Sequence, residues 1–390
     1  MIAKILIYML LLTVLPDVYI YLHHIAHRKQ WNKWAKGLWW LPCVGMVAFS
    51  VAMSFSRDFA PRNMVWINVY LFFTGILVLP KVLFALCSLI GWGVQRLLHL
   101  RGNYGVVPGI LLGTLSAVIT VYGSTIGFKE LNVKHVTIYS KDLPKAFDGY
   151  RIVQFSDAHV GTYTQGREYI LEKAIDSINA QRANTIVFTG DLQNMQPGEI
   201  VPHSNTFSKL RAIDGVYAVL GNHDYALYLK ATAKERELLT KETERLERSF
   251  GWNLLLNEHK VIKRGRDSIV IAGEENGGLP PYPNKADIGK TLKGISKNAF
   301  VVMLQHDPTN WRRDILPHSN TQLTLSGHTH NAQFSLLGWS PSQWIYKESY
   351  GLYEEGGRQL YVSCGLGGFV PFRFGATGEI VVFTLKRSHK

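Results

Sequence analysis

The chain has 390 residues, 42 Lys and Arg against 29 Asp and Glu, and a formal net charge of +13. That excess suits anionic lipid headgroups or a phosphorylated substrate, and with no helix-turn-helix pattern, aromatic RNA-binding signature or dense basic tract it does not point to nucleic acid. Of three cysteines, Cys43 and Cys87 fall in apolar runs, which leaves Cys364 alone in the polar part and excludes a disulfide framework or cysteine zinc site there.

Residues 1–128 read as a transmembrane domain of about four helices. Runs at roughly 2–22, 37–55, 64–92 and 105–127 are each long enough to cross a hydrocarbon core of ~30 Å at about 1.5 Å per residue. Lys4 precedes the first run as in a secretory signal, but Val18 to Leu22 offers no small-residue cleavage site, so a retained helix is expected. Trp39, Trp40, Trp66, Tyr70 and Trp92 fall towards run ends, as interfacial belts do. Asp17 and Lys81 are the ionisable groups in or near these runs. Each follows a proline, Pro16 and Pro80, so a kinked or interfacial place is expected for them before a functional one. His23, His24 and His27 read as interfacial residues of a membrane loop. Arg28, Lys29, Lys33, Lys36, Arg96 and Arg101 fall on one side of a four-span topology, and Lys4, Arg57, Arg62, Lys129 and Lys134 on the other. The bias leans towards a catalytic domain outside the cytoplasm.

Beyond this domain, over residues 129–390, continuous apolar runs give way to strands alternating with helices. Leu131 to Tyr139 alternates with period two, as a half-buried strand does. Short apolar runs at Arg151 to Phe155 and Thr185 to Thr189 flank a helical pattern over Glu168 to Ala180, a βαβ unit. Val216 to Leu220, Ser268 to Gly273, Phe300 to Leu304 and Gln322 to Leu325 read as further strands. Lys230 to Phe250 reads as an amphipathic helix with a solvated face, and Gln359 to Leu385 as largely β. The expected fold is α/β (α+β): a sandwich of two mixed sheets flanked by helices.

Five polar motifs follow these strands: Ser156-Asp157-Ala158-His159, Gly190-Asp191, Gly221-Asn222-His223-Asp224, Gln305-His306-Asp307 and Gly327-His328-Thr329-His330. Loops beyond the carboxyl ends of strands in open α/β sheets converge on one cleft, so residues far apart in sequence can meet there. Carboxylates and neutral imidazoles are the ligands that divalent first-row metals accept, and paired metals are a standard means of cleaving phosphate esters. Asp191, short and next to Gly190, is the expected bridging ligand. Asp157 and His159 lie two apart, so on an extended segment both point the same way and chelate one ion; His328 and His330 repeat that spacing. Asn222 adds a neutral oxygen. His223, adjoining Asn222, suits proton donation to the leaving group, with Asp224 orienting its imidazole by a hydrogen bond.

In this order the motifs resemble the calcineurin-like metallophosphoesterase superfamily, over roughly residues 131–386. The resemblance implies that Asp157, His159, Asp191 and His330 hold a first metal, that Asp191, Asn222, His306 and His328 hold a second, and that His223 acts on the scissile phosphate. Mn, Fe and Zn all fit such a set. Arg151 to Asp157 and Tyr361 to Gly367 are similar to a bacterial membrane-associated or exported branch, which includes enzymes acting on phosphorylated lipids and on the UDP-diacylglucosamine precursor of lipid A. The implied location is a bacterial cytoplasmic membrane. The chain departs from that branch at Ala158, usually a larger apolar residue, at Asn331-Ala332, usually two glycines, and at Gly378-Glu379, usually Pro-Glu.

A cleft tied to a membrane domain by a short connection meets lipid substrates at raised local concentration. A phosphorylated lipid, possessing a phosphoester or pyrophosphate bond, is therefore the first expected substrate. The alternatives are a soluble phosphodiester, with the helices as anchor only, and a catalytically silent membrane sensor. Gly368 to Phe374 interleaves aromatic rings with Arg373 and reads equally as a headgroup contact or as a packed loop.

Overall fold

The structure is a computed structural model that describes residues 2–55, 64–164 and 166–388. Arg57 and Arg62, counted above for orientation, lie outside the described residues. The chain divides into two compact units, Met1–Ile126 and Gly127–Lys390.

In the first unit, four helical stretches are long and apolar enough to cross a membrane: Ile5–Ile25, Lys33–Ser54, Val65–Leu97 and Val106–Lys129. Their large apolar side chains, among them Leu11, Leu15, Ile90, Leu111 and Leu115, face outward, which is stable only against lipid. Asp17 and Lys81, each beside its proline, come together in this unit. They form one ion pair inside the bundle, with Lys81 Nζ 2.8 and 2.9 Å from the two Asp17 oxygens. Asp17 is buried, and each charge removes the other's reason to reach water. At the end of the first span, His24 Nε2 lies 2.9 Å from the Ser88 hydroxyl, which Tyr19 also meets at 3.1 Å.

The second unit holds two six-stranded mixed sheets. We number its strands β1 (Leu131–Ser140), β2 (Arg151–Phe155), β3 (Thr185–Phe188), β4 (Val216–Ala218), β5 (Asn253–Leu254), β6 (Glu258–Arg264), β7 (Asp267–Gly273), β8 (Phe300–Leu304), β9 (Leu323–Ser326), β10 (Gly351–Glu355), β11 (Arg358–Val362) and β12 (Gly378–Arg387). One sheet runs β1-β12-β2-β3-β4-β5 and the other β10-β11-β9-β8-β7-β6. Strands β2 to β5 are parallel, and so are β7, β8, β9 and β11.

Side-chain alternation builds the layers. From β2 and β3, Val153, Phe155, Ile186 and Phe188 pack towards the helices Glu168–Ala180 and Ala233–Ser249. Ile152 and Val187 point the other way and meet Ile271, Val302 and Leu325 between the sheets. A strand buried on both faces reads as an unbroken apolar run, which is why these segments stand out in the sequence. The Ala233–Ser249 helix starts inside the expected 230–250 range because Thr232 caps it, accepting from Glu235 N while Glu235 returns a bond to Thr232 N.

The segment between β11 and β12 is a packed loop. Arg373, read from sequence as a possible headgroup contact, is 1% exposed. Its guanidinium donates to the carbonyls of Cys364, Gly365, Gly367 and Ala376. Loop carbonyls without a strand partner need donors, and this requirement turns the cation inward.

The membrane ion pair generates a test. Lys81→Met alone leaves the Asp17 carboxylate buried and unpaired, and breaking such a pair costs about 3–5 kcal/mol. Unfolding of the full-length protein in detergent is expected to show the single variant as less stable than Asp17→Asn/Lys81→Met; an equal or greater loss in the double variant contradicts the pairing.

Candidate metal centre

Each motif residue sits just past the end of a parallel strand: Asp157 and His159 after β2, Asp191 after β3, Asn222 and His223 after β4, His306 after β8, His328 and His330 after β9. The two sheets therefore deliver their carboxyl ends to one place. The ligand atoms of Asp157, His159, Asp191 and His330 lie within 4.8 Å of one another, and so do those of Asp191, His306 and His328.

Asp191 joins the two groups. Its Oδ2 is 3.6 Å from His159 Nε2 and 3.2 Å from His306 Nε2. On the first side, His159 Nε2 and His330 Nε2 are 3.2 Å apart, and His330 Nε2 is 3.4 Å from Asp157 Oδ1. On the second, Asn222 Oδ1 is 3.2 Å from His306 Nε2 and 2.7 Å from His328 Nδ1. Ligands about 2.0–2.2 Å from a common centre sit roughly 3.0–3.5 Å apart. Most of the observed separations match such edges and the rest lie close to them, so the donor set fits divalent ions, with Asp191 belonging to both groups.

The route to this geometry differs from the extended chelate read from sequence. Asp157, His159, Asp191, His328 and His330 all have positive φ, between 46° and 76°, a region that disfavours L side chains. His328 and His330 part, one to each group, while Asp157 and His159, equally left-handed, stay together. Two glycines are sterically required. A Cβ on Gly221 would stand 2.2 Å from Asp191 Oδ1, and one on Gly327 would stand 2.3 Å from Asp157 Oδ2.

Burial and mutual charge set the protonation states. Burial pulls the His159 imidazole down to about 3 and His328 to about 4, leaving both neutral. Burial opposes charge on Asp191, but His306, His223 and His159 hold its carboxyl well below the usual range. Burial likewise opposes charge on His306, yet Asp191 and Asp157 lift it to about 10. A buried carboxylate thus draws compensating positive charge into this spot, the condition under which a cation binds.

Outer hydrogen bonds fix which nitrogen faces inward. His306 Nδ1 donates to the Thr189 carbonyl at 2.7 Å, and His328 Nε2 lies 3.0 Å from the Tyr346 hydroxyl. Tyr346 was not legible in the motifs: it lies 18 residues beyond His328 in a segment with no metal-binding residue type. His223 Nδ1 donates to the Asn194 carbonyl at 2.6 Å, and its ring stacks on Tyr228 at 4.3 Å.

The orienting role expected of Asp224 does not hold. Its carboxylate accepts instead from the backbone N–H groups of Asp191, Leu192, Gln193 and Gly221. Two loops that begin at strand ends have no ladder partners, and Asp224 supplies the missing acceptors. The residue that orients His223 is Asn194, through its main chain, which a side-chain motif does not reveal.

The chain is similar to known proteins over both of its units. The family model "Calcineurin-like phosphoesterase" matches residues 150–332, and "Probable Calcineurin-like phosphoesterase, transmembrane domain" matches residues 3–128. An uncharacterised metallophosphoesterase of Bacillus subtilis is 32% identical over 295 residues, 72% of this chain and 96% of that protein. One of Campylobacter jejuni is 26% identical over 393 residues, 97% of this chain and 96% of that protein. A UDP-2,3-diacylglucosamine pyrophosphatase of Chlamydia trachomatis is 28% identical over 309 residues, 64% of this chain and 89% of that protein.

Purified full-length protein is expected to hold about two divalent ions per chain by elemental analysis. Asp191→Asn is expected to lower both occupancies, and Asp157→Asn chiefly one. Because metal binding adds to folding stability, a chelator should lower the Tm of the parent protein and leave that of Asp191→Asn almost unchanged; equal metal content in parent and Asp191→Asn contradicts a shared ligand.

Proposed function

The chain belongs to the calcineurin-like phosphoesterase family, and we propose that it is a dinuclear enzyme acting on a phosphomonoester, phosphodiester or pyrophosphate bond of a phosphorylated lipid. At the coarser level it is a metal-dependent hydrolase with a transmembrane domain. The observation that carries the dinuclear reading is Asp191 Oδ2, set between two histidine-bearing groups at 3.6 and 3.2 Å.

In this reading Asp157, His159, Asp191 and His330 take one ion, and Asp191, Asn222, His306 and His328 take the other. Divalent ions so held supply a nucleophile at neutral pH and neutralise phosphate oxygens. Mn, Fe and Zn are all compatible with the imidazole, carboxylate and amide oxygens present. His223 is the proton carrier. Since its Nδ1 donates to the Asn194 carbonyl, Nε2 is the nitrogen left to pass a proton to the leaving-group oxygen. Tyr228 stacks on the ring and holds its plane.

Two findings support a lipid substrate. Covalent attachment to a membrane-spanning domain concentrates the enzyme with lipids, and one relative is named a pyrophosphatase of a diacylated sugar nucleotide. The Lys and Arg bias of the short loops supports a catalytic unit facing out of a bacterial cytoplasmic membrane.

The test compares full-length protein with His223→Ala, both loaded with Mn²⁺, on a chromogenic phosphodiester, a phosphomonoester and a panel of phosphorylated lipids in detergent. The expected result is a kcat lower by about 10²–10⁴ in the variant, with unchanged metal content and lipids preferred by the parent. Equal turnover of soluble diesters contradicts the lipid assignment. No turnover with any substrate contradicts the enzyme assignment and returns the sensor reading.

A further inference from the structure

The segment Phe334 to Tyr346 contains no charged residue, although it lies on the surface of the catalytic unit. Leu336 is 46% exposed, Leu337 100%, Trp339 39%, Trp344 78% and Ile345 76%. Other exposed large apolar side chains of this unit, such as Tyr169, Val201, Ile213 and Leu238, stand singly along the sequence, as is normal on a protein surface. A cluster of this kind marks an interaction site.

The cluster is held out by structure. Leu336 and Trp339 exchange both backbone hydrogen bonds, at 2.9 and 3.0 Å, closing a tight turn. The two residues at its tip, Leu337 and Gly338, have φ of 52° and 83°. Hairpin turns of this kind favour Asn, Asp or Gly at such positions, and here a branched apolar side chain stands at the most exposed point. The base of the loop is pinned: Ser340 Oγ donates to the Asn331 carbonyl at 2.7 Å, and Ser342 Oγ to Asn331 Oδ1 at 3.1 Å. Trp339 and Trp344 pack edge to face, with centroids 5.0 Å apart.

We infer that this loop is a second membrane contact, inserting Leu337, Trp344 and Ile345 into the headgroup–acyl boundary of the bilayer that the chain itself spans. Tryptophan favours that boundary, where one part of the ring is wet and another is in hydrocarbon. The exposed Lys347 follows the apolar segment and complements anionic headgroups. The four spans guarantee a bilayer at high effective concentration. The loop begins four residues after His330, with its tip at Leu337, and its far end returns to the metal centre through Tyr346, whose hydroxyl meets His328 Nε2. An inserted tip therefore brings the cleft to the lipid surface. The membrane contact stands without the lipid-substrate reading, while its effect on catalysis rests on that reading.

The test places a nitroxide on Leu337→Cys, Trp344→Cys or Lys241→Cys in full-length protein, reconstituted in nanodiscs of anionic and zwitterionic lipid. The unsubstituted chain sets the background from Cys43, Cys87 and Cys364. Leu337 and Trp344 project outward, so neither change disturbs the core, and Lys241 is on an exposed helix face. The expected result is that oxygen reaches the probes at 337 and 344 more readily than a nickel chelate does, with the reverse at 241. Water-like accessibility at 337 overturns the inference. Shielding from both reagents with spin–spin broadening overturns it too, because it identifies a second copy of the chain as the occupant.

A second measurement uses Leu337→Ser/Trp344→Ser. KM for a bilayer-embedded phosphorylated lipid is expected to rise about tenfold or more, from the loss of two apolar anchors, with kcat/KM on a soluble diester unchanged. Immersed probes without a preference for lipid leave the membrane contact standing and overturn the lipid-substrate reading alone.

Discussion

One buried carboxylate organises the catalytic unit. Asp191 is 1% exposed, and a carboxylate so far from water must be matched by positive charge and hydrogen bonds. His159 and His306 approach its Oδ2 from two sides, and His223 N donates to its Oδ1. The next layer then has to hold those partners. Thr189 and Asn194 carbonyls fix two of the imidazoles, and Asp224 ties the loop after β3 to the loop after β4 through four backbone N–H groups. Gly221 and Gly327 leave no room for a side chain beside the carboxylates. The left-handed backbone at five of the ligands stores strain that persists only where the surroundings over-determine it. Such a preformed, charge-biased group of carboxylates and imidazoles could hold a metal ion.

The membrane unit solves the same problem differently. Asp17 has no cluster of imidazoles around it, and a single Lys81 ammonium satisfies both of its oxygens. Around that pair the unit is apolar on its outside, as a lipid-facing bundle must be. The loop at Leu336 to Ile345 gathers five exposed large apolar side chains within ten residues of the catalytic unit. Its hydrogen-bonded base transmits any restraint on the tip to Asn331, one residue from a ligand. Asn331 and Ala332 replace the usual two glycines of the related branch, and both keep positive φ, 48° and 53°. The turn that glycine would make easily is thus retained with less suitable residues, and the Asn331 side chain serves the loop instead.

Much of the fold was legible because the central strands of both sheets are buried on two faces. Runs such as Ile152 to Phe155 and Val301 to Leu304 carry their assignment in composition alone. The residues that gather into the two candidate groups were legible because short polar motifs directly after such runs have few structural alternatives. What the sequence concealed was direction. A two-residue spacing implies a shared side only on an extended chain; all four residues are left-handed, and Asp157 and His159 share a group while His328 and His330 divide, a division that the family resemblance implies and the spacing does not. The partners of Asp224 and Asp17 were equally hidden, because each is chosen by residues far away in sequence, loop N–H groups and a lysine 64 positions distant, while Arg373 is held by main-chain carbonyls of its own loop, which a side-chain pattern does not reveal. Tyr346 and Asn194 were missed for a related reason. One acts from a loop without a motif and the other through its main chain.

Electron paramagnetic resonance of the full-length protein loaded with Mn²⁺ tests the central claim most directly, since a single carboxylate oxygen shared by two ions couples their spins. The account predicts an exchange-coupled signal that collapses to that of isolated ions in Asp191→Asn. A signal of isolated, uncoupled Mn²⁺ in the parent protein at full loading would contradict it.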